Sequence, residues 1–189
     1  IKMGFISEVP SSGKKRGRRP INLSLSNSTH IAVGIEIDSR YISGVAIGLG
    51  GDILKRKKID IETSDPASIF SETVRLYRSL TEDLEKERFL GLGLGIPGLI
   101  DPKNKRVIFS AVLGWKDVYV EEFLNGLGIP FFMEDNVRAI TLGELWYGAG
   151  IGKDNLLCIG AGRGISAGIV INGSIYSGPN FRAGEFGHM

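Results

Sequence analysis

The chain has 189 residues, 42% apolar and 23% charged, with 27 glycines, one cysteine and a formal charge of +2. That composition excludes a disordered tail, a collagen-like repeat and a disulfide scaffold, and no apolar run reaches the roughly 18 residues of a membrane span. No signal peptide opens it, and Cys158 alone suits a reducing compartment, so a soluble cytoplasmic protein is expected. Ile1 in place of a methionine, and a loop unfinished at Gly187-His188-Met189, lead us to expect a longer protein at both ends.

Charge divides the sequence. Residues 1–30 hold Lys2, Lys14, Lys15, Arg16, Arg18 and Arg19 against Glu8 alone, leaving seventeen basic and twenty acidic groups for the rest. A basic arm therefore precedes a mildly acidic body. Residues 4–9 alternate, Pro10-Ser11-Ser12-Gly13 turns, and residues 20–25 alternate again, which predicts a hairpin. Its loop carries Lys14, Lys15, Arg16, Arg18 and Arg19. Such a loop can neutralise phosphates, and arginines beside Gly17 can enter a minor groove. It reads equally as a solvated charge run or a linker. Phosphate contact carries little sequence choice, so a base-reading element would lie upstream.

From Ile31 the pattern changes. Residues 31–38 and 41–49 read as strands, Gly50-Gly51-Asp52 as a hairpin turn, and 53–61 as an edge strand bearing Lys55, Arg56, Lys57 and Lys58. Asp65-Pro66 starts a helix with Phe70, Val74, Tyr77, Leu80 and Leu84 on one face. Residues 89–96 alternate leucine with Gly91, Gly93 and Gly95, a strand that something can approach closely. Further on, 106–110 reads as a strand, 118–127 as a short helix and 129–134 as a strand. Residues 136–147 read as a helix with Ala139, Leu142, Leu145 and Trp146 on its apolar side. Residues 156–160, 165–171 and 174–176 complete the series as strands. This α/β rhythm predicts a lobe over 31–133, a second begun at 134–189, and a cleft near residue 133, after the arm at 1–30.

Several polar residues fall at strand ends, where open α/β sheets hold ligands. Asp135-Asn136 reads as a helix cap or as a pair gripping neighbouring hydroxyls of a polyol. Glu185 and His188, three apart among glycines, either converge on one ligand or are ordinary loop residues. Gly98 closes the turn Gly95-Ile96-Pro97-Gly98, and Trp115 reads as core or as a sugar-stacking ring. The run Gly160 to Gly168, with Gly162, Gly164, Ser166 and Gly168, can offer backbone N–H groups to phosphate, and Arg163 could add charge.

Taken together, Gly160 to Gly178, Gly184-Glu185-Phe186-Gly187-His188, Gly95-Ile96-Pro97-Gly98 and Leu113-Gly114-Trp115 resemble the ROK family over nearly the whole chain. The name stands for repressor, open reading frame, kinase. The resemblance implies a two-lobe actin-like ATPase fold of the ribonuclease H-like kind, in an α/β chain. It also implies that the arm, with Gly17-Arg18-Arg19-Pro20, is the wing of a winged helix-turn-helix whose remainder precedes Ile1. Gly98, Asp135, Asn136, Glu185 and His188 would bind sugar, and His188 would be one ligand of a zinc whose others lie downstream. Gly162, Gly164, Ser166 and Gly168 would be the remnant of a phosphate loop.

Departures from the kinase pattern point to the repressor branch. The kinase phosphate turn Asp-x-Gly-Gly-Thr-Lys reads Glu36-Ile37-Asp38-Ser39-Arg40-Tyr41, placing a carboxylate where phosphates would sit. The kinase Glu-Asn-Asp reads Glu134-Asp135-Asn136, so an amide stands at the general-base position, unless Asp135 serves. The expectation is a sugar-responsive, DNA-binding homodimer without catalytic residues and with no cofactor held by this chain. The alternatives are an ATP- and Mg-dependent sugar kinase and a ligand-free dimerisation scaffold.

Overall fold

The computed structural model describes residues 5–10, 21–25, 29–85, 88–162 and 164–188. Strands β1 (Ile6–Pro10) and β2 (Ile21–Leu25) pair antiparallel, Ile6 opposite Leu25 and Pro10 opposite Ile21. The expected hairpin strands are therefore present. The loop bearing Lys14, Lys15, Arg16, Arg18 and Arg19 lies outside the described residues. Phe5 stacks on His30 with ring centroids 4.1 Å apart, joining the hairpin to the body.

The body is built on β3 (Ile31–Ile37), β4 (Tyr41–Gly48), β5 (Ile53–Asp60), β6 (Phe89–Gly95) and β10 (Phe131–Glu134), ordered β10-β6-β3-β4-β5. β3, β4 and β5 meander antiparallel, whereas β6 and β10 run parallel to β3. A parallel return needs a crossover, and α1 (Pro66–Thr81) supplies it. Asp65 caps that helix, accepting from Ser68 N at 2.8 Å, and the Ser68 hydroxyl and amide hold its carboxyl below the ordinary range. Alternation along β3 buries Ile31, Val33, Ile35 and Ile37, and α1 sets Phe70, Leu76, Tyr77 and Leu80 into the same core. Val74 and Leu84 of the expected helix face pack partly buried against it. Gly44 permits this contact, because a Cβ there would lie 2.8 Å from Leu80 Cδ1.

One expectation fails in the middle of the chain. Residues 118–127 are not a single helix. β7 (Leu99–Asp101), β8 (Arg106–Ser110) and β9 (Trp115–Tyr119) form an antiparallel sheet, followed by α2 (Glu121–Leu124) and a 3-10 turn, Asn125–Leu127. Val118 and Tyr119 pair with Val107 and Arg106, where β-branched and aromatic side chains fit a pleated surface. Trp115 is core: 3% exposed, it donates Nε1 to Ser64 O at 2.6 Å and packs on Phe70.

The last part contains α3 (Asn136–Tyr147) against an antiparallel sheet of β11 (Leu156–Ala161), β12 (Ile165–Ile171) and β13 (Ser174–Ile175). The expected apolar side of α3 is a second correction. Arg138, Thr141 and Leu145 are buried, Ala139 and Leu142 are half-buried, and Trp146 is 61% exposed. Close approach at glycine decides the orientation. A Cβ at Gly168 would lie 1.9 Å from Thr141 Oγ1, and one at Gly160 2.9 Å from Val137 Cγ2.

Candidate functional site

The C-terminal ends of the parallel strands β3, β6 and β10 meet the start of α3, the position at which open α/β sheets hold ligands. Asp135 is the N-cap. Its Oδ1 accepts from Val137 N at 3.0 Å and Arg138 N at 3.2 Å, and its Oδ2 accepts from Gly98 N at 3.3 Å. Both carboxylate oxygens are thus engaged by backbone amides, and the residue is only 7% exposed. The cap anticipated from sequence is there, and it draws Gly98 to Asp135. Gly98 has φ +126°, and a Cβ there would lie 2.3 Å from Phe109 O, so that turn requires glycine. Asn136 points the other way. Its Nδ2 donates to Ile37 O at 3.1 Å, while its Oδ1 lies shielded beside Gly95 and has no donor among the described residues.

Next to Ile37, the β3–β4 turn is closed by its own side chain. Asp38 N donates to Tyr41 O at 2.9 Å, and Asp38 Oδ1 accepts from Arg40 N at 3.1 Å. The Ser39 hydroxyl donates to the same oxygen at 3.4 Å. An amide that a phosphate could take is therefore occupied by a carboxylate, which would also repel the phosphate. Burial first, then the Glu36 and Asp38 carboxylates, push the Tyr41 phenol above its ordinary range.

In the glycine-rich run, Gly162 N bonds Gly164 O at 3.0 Å to close the β11–β12 hairpin, and Ser166 pairs with Gly160 inside the ladder. Gly168 and Gly160 accommodate α3, a packing role that the phosphate reading did not anticipate. Gly162 and Gly164 face open space. Arg163 lies outside the described residues.

The segment bearing Glu185 and His188 leans on β12. Ala167 N donates to Gly184 O at 2.8 Å, and a Cβ at Gly184 would lie 1.8 Å from Ala167 O. Residues 186–188 form a 3-10 turn. This loop thereby sits against the strand that carries Ser166 and Gly168. Farther back, Phe181 O accepts from Arg138 Nη1 at 3.3 Å, tying the loop to the first turn of α3. The pairing of Arg138 with Glu134 was not anticipated from sequence; an acid and a base four positions apart across the β10–α3 junction were the available signal.

Among the described residues, no three His, Cys, Asp or Glu side chains come together to hold an ion. One ligand from this chain falls short of the four that a structural zinc takes. None of the described helices is long and apolar enough to cross a membrane. Two shallow grooves flank α1, one lined by Lys57, Lys58 and Arg75, the other by Phe70, Arg78 and Phe123. Neither includes a residue of the strand-end site.

The family model described as ROK family matches residues 32–189. A provisionally named xylose repressor of Caldicellulosiruptor sp. strain Rt8B.4 is 31% identical over 195 residues, covering 100% of this chain and 48% of its own length. The xylose repressor of Bacillus subtilis strain 168 is 27% identical over 192 residues, covering 100% of this chain and 50% of its own. A glucokinase of Halalkalibacterium halodurans is 30% identical over 163 residues, 83% of this chain and 49% of that protein. The chain thus spans about half the length of these relatives. Among solved structures, a ROK family glucokinase from Streptomyces griseus, in complex with glucose and AMPPNP, superposes with a TM-score of 0.74 at 25% identity. That match covers 84% of this chain and 50% of the glucokinase. A ROK family transcriptional regulator, a homologue of the E. coli MLC protein, superposes at 0.76 with 24% identity, covering 98% of this chain and 47% of the regulator.

Proposed function

Because the chain belongs to the ROK family, we propose that it carries the effector-sensing region of a sugar-responsive transcriptional repressor. In this reading a monosaccharide binds between the lobe formed by residues 31–133 and the lobe that begins at residue 134. Asn136 marks the strand-end floor of that site, and Glu185 and His188 take the sugar hydroxyls. Gly98 and Asp135, bonded to one another, shape the wall. The hairpin loop bearing Lys14, Lys15, Arg16, Arg18 and Arg19 meets the DNA backbone as a wing, with sequence read upstream in a homodimer. A zinc that uses His188 would draw its other ligands from outside this chain.

The observation that carries the reading is the β3–β4 turn, where Asp38 occupies the Arg40 amide at 3.1 Å. A site that has plugged its phosphate turn keeps only its sugar to sense. Similarity to xylose repressors over the whole chain, arm included, agrees, and it makes a pentose the first effector to test. The glucokinase relatives favour a second reading, an ATP-dependent sugar kinase. Against it, Asn136 has no basic oxygen to take a hydroxyl proton, and the neighbouring Asp135 carboxylate is committed to three amides. Calorimetric titration of the full-length protein with D-xylose, D-glucose and N-acetylglucosamine, with and without Mg-ATP, tests the reading. A monosaccharide should bind with ATP making no difference. Binding only in the presence of ATP would favour the kinase, and no binding at all would refute the sensor.

A further inference from the structure

Arg138 is 1% exposed, a charged side chain as buried as the core isoleucines of β3. A guanidinium keeps its charge at any physiological pH, so burial is tolerable only where acceptors are fixed around it. Two are. Nε donates to Glu134 Oε1 at 2.8 Å, one turn back at the end of β10, and Nη1 donates to Phe181 O at 3.3 Å. The same Glu134 oxygen accepts from Asp135 N at 2.9 Å, so one carboxylate fixes both the cap of α3 and the arginine.

The acceptor at the far end of this strut belongs to an unusual stretch of backbone. Asn180 and Phe181 both hold left-handed conformations, φ +57° and +60°, which residues with side chains seldom adopt. Such geometry persists where the surroundings over-determine it. Here Ala183 N bonds Ser177 O at 3.0 Å and Ala167 N bonds Gly184 O, closing the loop at its base. Arg138 holds it in the middle. Glu185 follows four residues later.

We propose that Arg138 is a positioning residue that sets the Glu185 loop at a fixed separation from the strand ends at Asn136, so that Glu185 reaches a sugar held there. The role in binding rests on the sensor reading above; the strut itself does not. Lysine is the informative replacement. It keeps a charge beside Glu134 but lacks the planar fork needed to reach the Phe181 carbonyl as well.

The test uses the full-length protein and its Arg138→Lys and Arg138→Gln variants, with hydrogen exchange of residues 177–188 and D-xylose and D-glucose titrations as readouts. Loop amides should exchange about tenfold faster in both variants while those of β3 and β4 keep wild-type rates. Sugar affinity should fall about tenfold or more, with operator affinity in the absence of sugar unchanged. Arg138→Lys should restore melting temperature without restoring sugar affinity. Wild-type loop exchange in Arg138→Lys overturns the strut, and wild-type sugar affinity with a loosened loop overturns its role in binding. Should Arg138→Gln not fold, Arg138→Lys decides alone. Failure of the unmodified protein to bind either sugar removes the sensor reading, and loop exchange still decides whether the strut exists.

Discussion

The Asn136 side chain donates to the Ile37 carbonyl at 3.1 Å across ninety-nine positions, tying the start of α3 to the end of β3. This bond needs an amide. Asn136→Asp exchanges the donor for a carboxylate facing a carbonyl oxygen. It should cost about 1–3 kcal/mol, read as a lower denaturant midpoint with an unchanged slope. Although it recreates the carboxylate expected of a kinase base, on the proposed reading, in which Asp38 plugs the phosphate turn, the variant should not phosphorylate glucose.

Gly168 and Gly162 lie in one glycine-rich run and should answer alanine differently. At Gly168 the new methyl would meet Thr141 Oγ1 at 1.9 Å, whereas at Gly162 nothing lies within 4 Å. Gly168→Ala should therefore cost about 1–3 kcal/mol through overpacking. Gly162→Ala should stay within about 0.5 kcal/mol. Thermal or denaturant unfolding of the two variants side by side distinguishes them.

That contrast marks what was legible in the sequence. Strict alternation in residues 31–37 and the 3- and 4-residue spacing from Phe70 to Leu80 announced β3 and α1, because one uninterrupted core imposed both periods. The cap at Asp135 and the hairpin strands of the arm were equally plain. α3 was misread because its buried side is chosen by two glycines on β11 and β12 and by a charged residue, Arg138, whose acceptors come from Glu134 and a loop forty-three positions away. Hydrophobic periodicity carries no trace of such partners. Residues 115–119 were missed as a strand because Lys116 and Asp117, the latter at φ +53°, interrupt the alternation between Trp115 and Val118, whereas the equally short β8 was read correctly. At the site, the loss of glycines from the β3–β4 turn was readable, but the capture of the Arg40 amide by Asp38 was not.

Asp101 gives the fold an acid-sensitive point. The Asn104 side chain donates to Oδ2 at 2.7 Å and the Asn104 backbone to Oδ1 at 3.2 Å, with Arg106 at 4.0 Å. The Asn104 side-chain bond first, then neighbouring amides and Arg106, hold the carboxyl below its ordinary range despite burial. A lowered folded value means stability that is complete above the ordinary carboxylate range and lost as pH falls through the folded one. Asp101→Asn should cost about 1–3 kcal/mol at neutral pH and progressively less on acidification. A penalty unchanged between neutral and strongly acidic pH would show that the charge contributes nothing.

Replacing Arg18 and Arg19 with alanine should weaken DNA binding on every sequence alike, since phosphate contacts position without reading bases. For each arginine–phosphate pair removed, the log–log salt dependence should flatten by about 0.9. Fluorescence anisotropy on operator and unrelated duplexes across a salt series measures both effects. An unchanged slope would remove the wing from the interface.

The most direct measurement is ADP release by the full-length protein with Mg-ATP and D-xylose, D-glucose, N-acetylglucosamine or D-fructose, run beside operator binding with each sugar. Sugar-independent background ADP release is predicted throughout, together with one sugar that changes operator affinity roughly 5- to 150-fold, the range of an ordinary allosteric coupling. Turnover of about 1 per second on any of these sugars, within the ordinary range of enzymes, would contradict the proposal of a repressor without a working phosphate site.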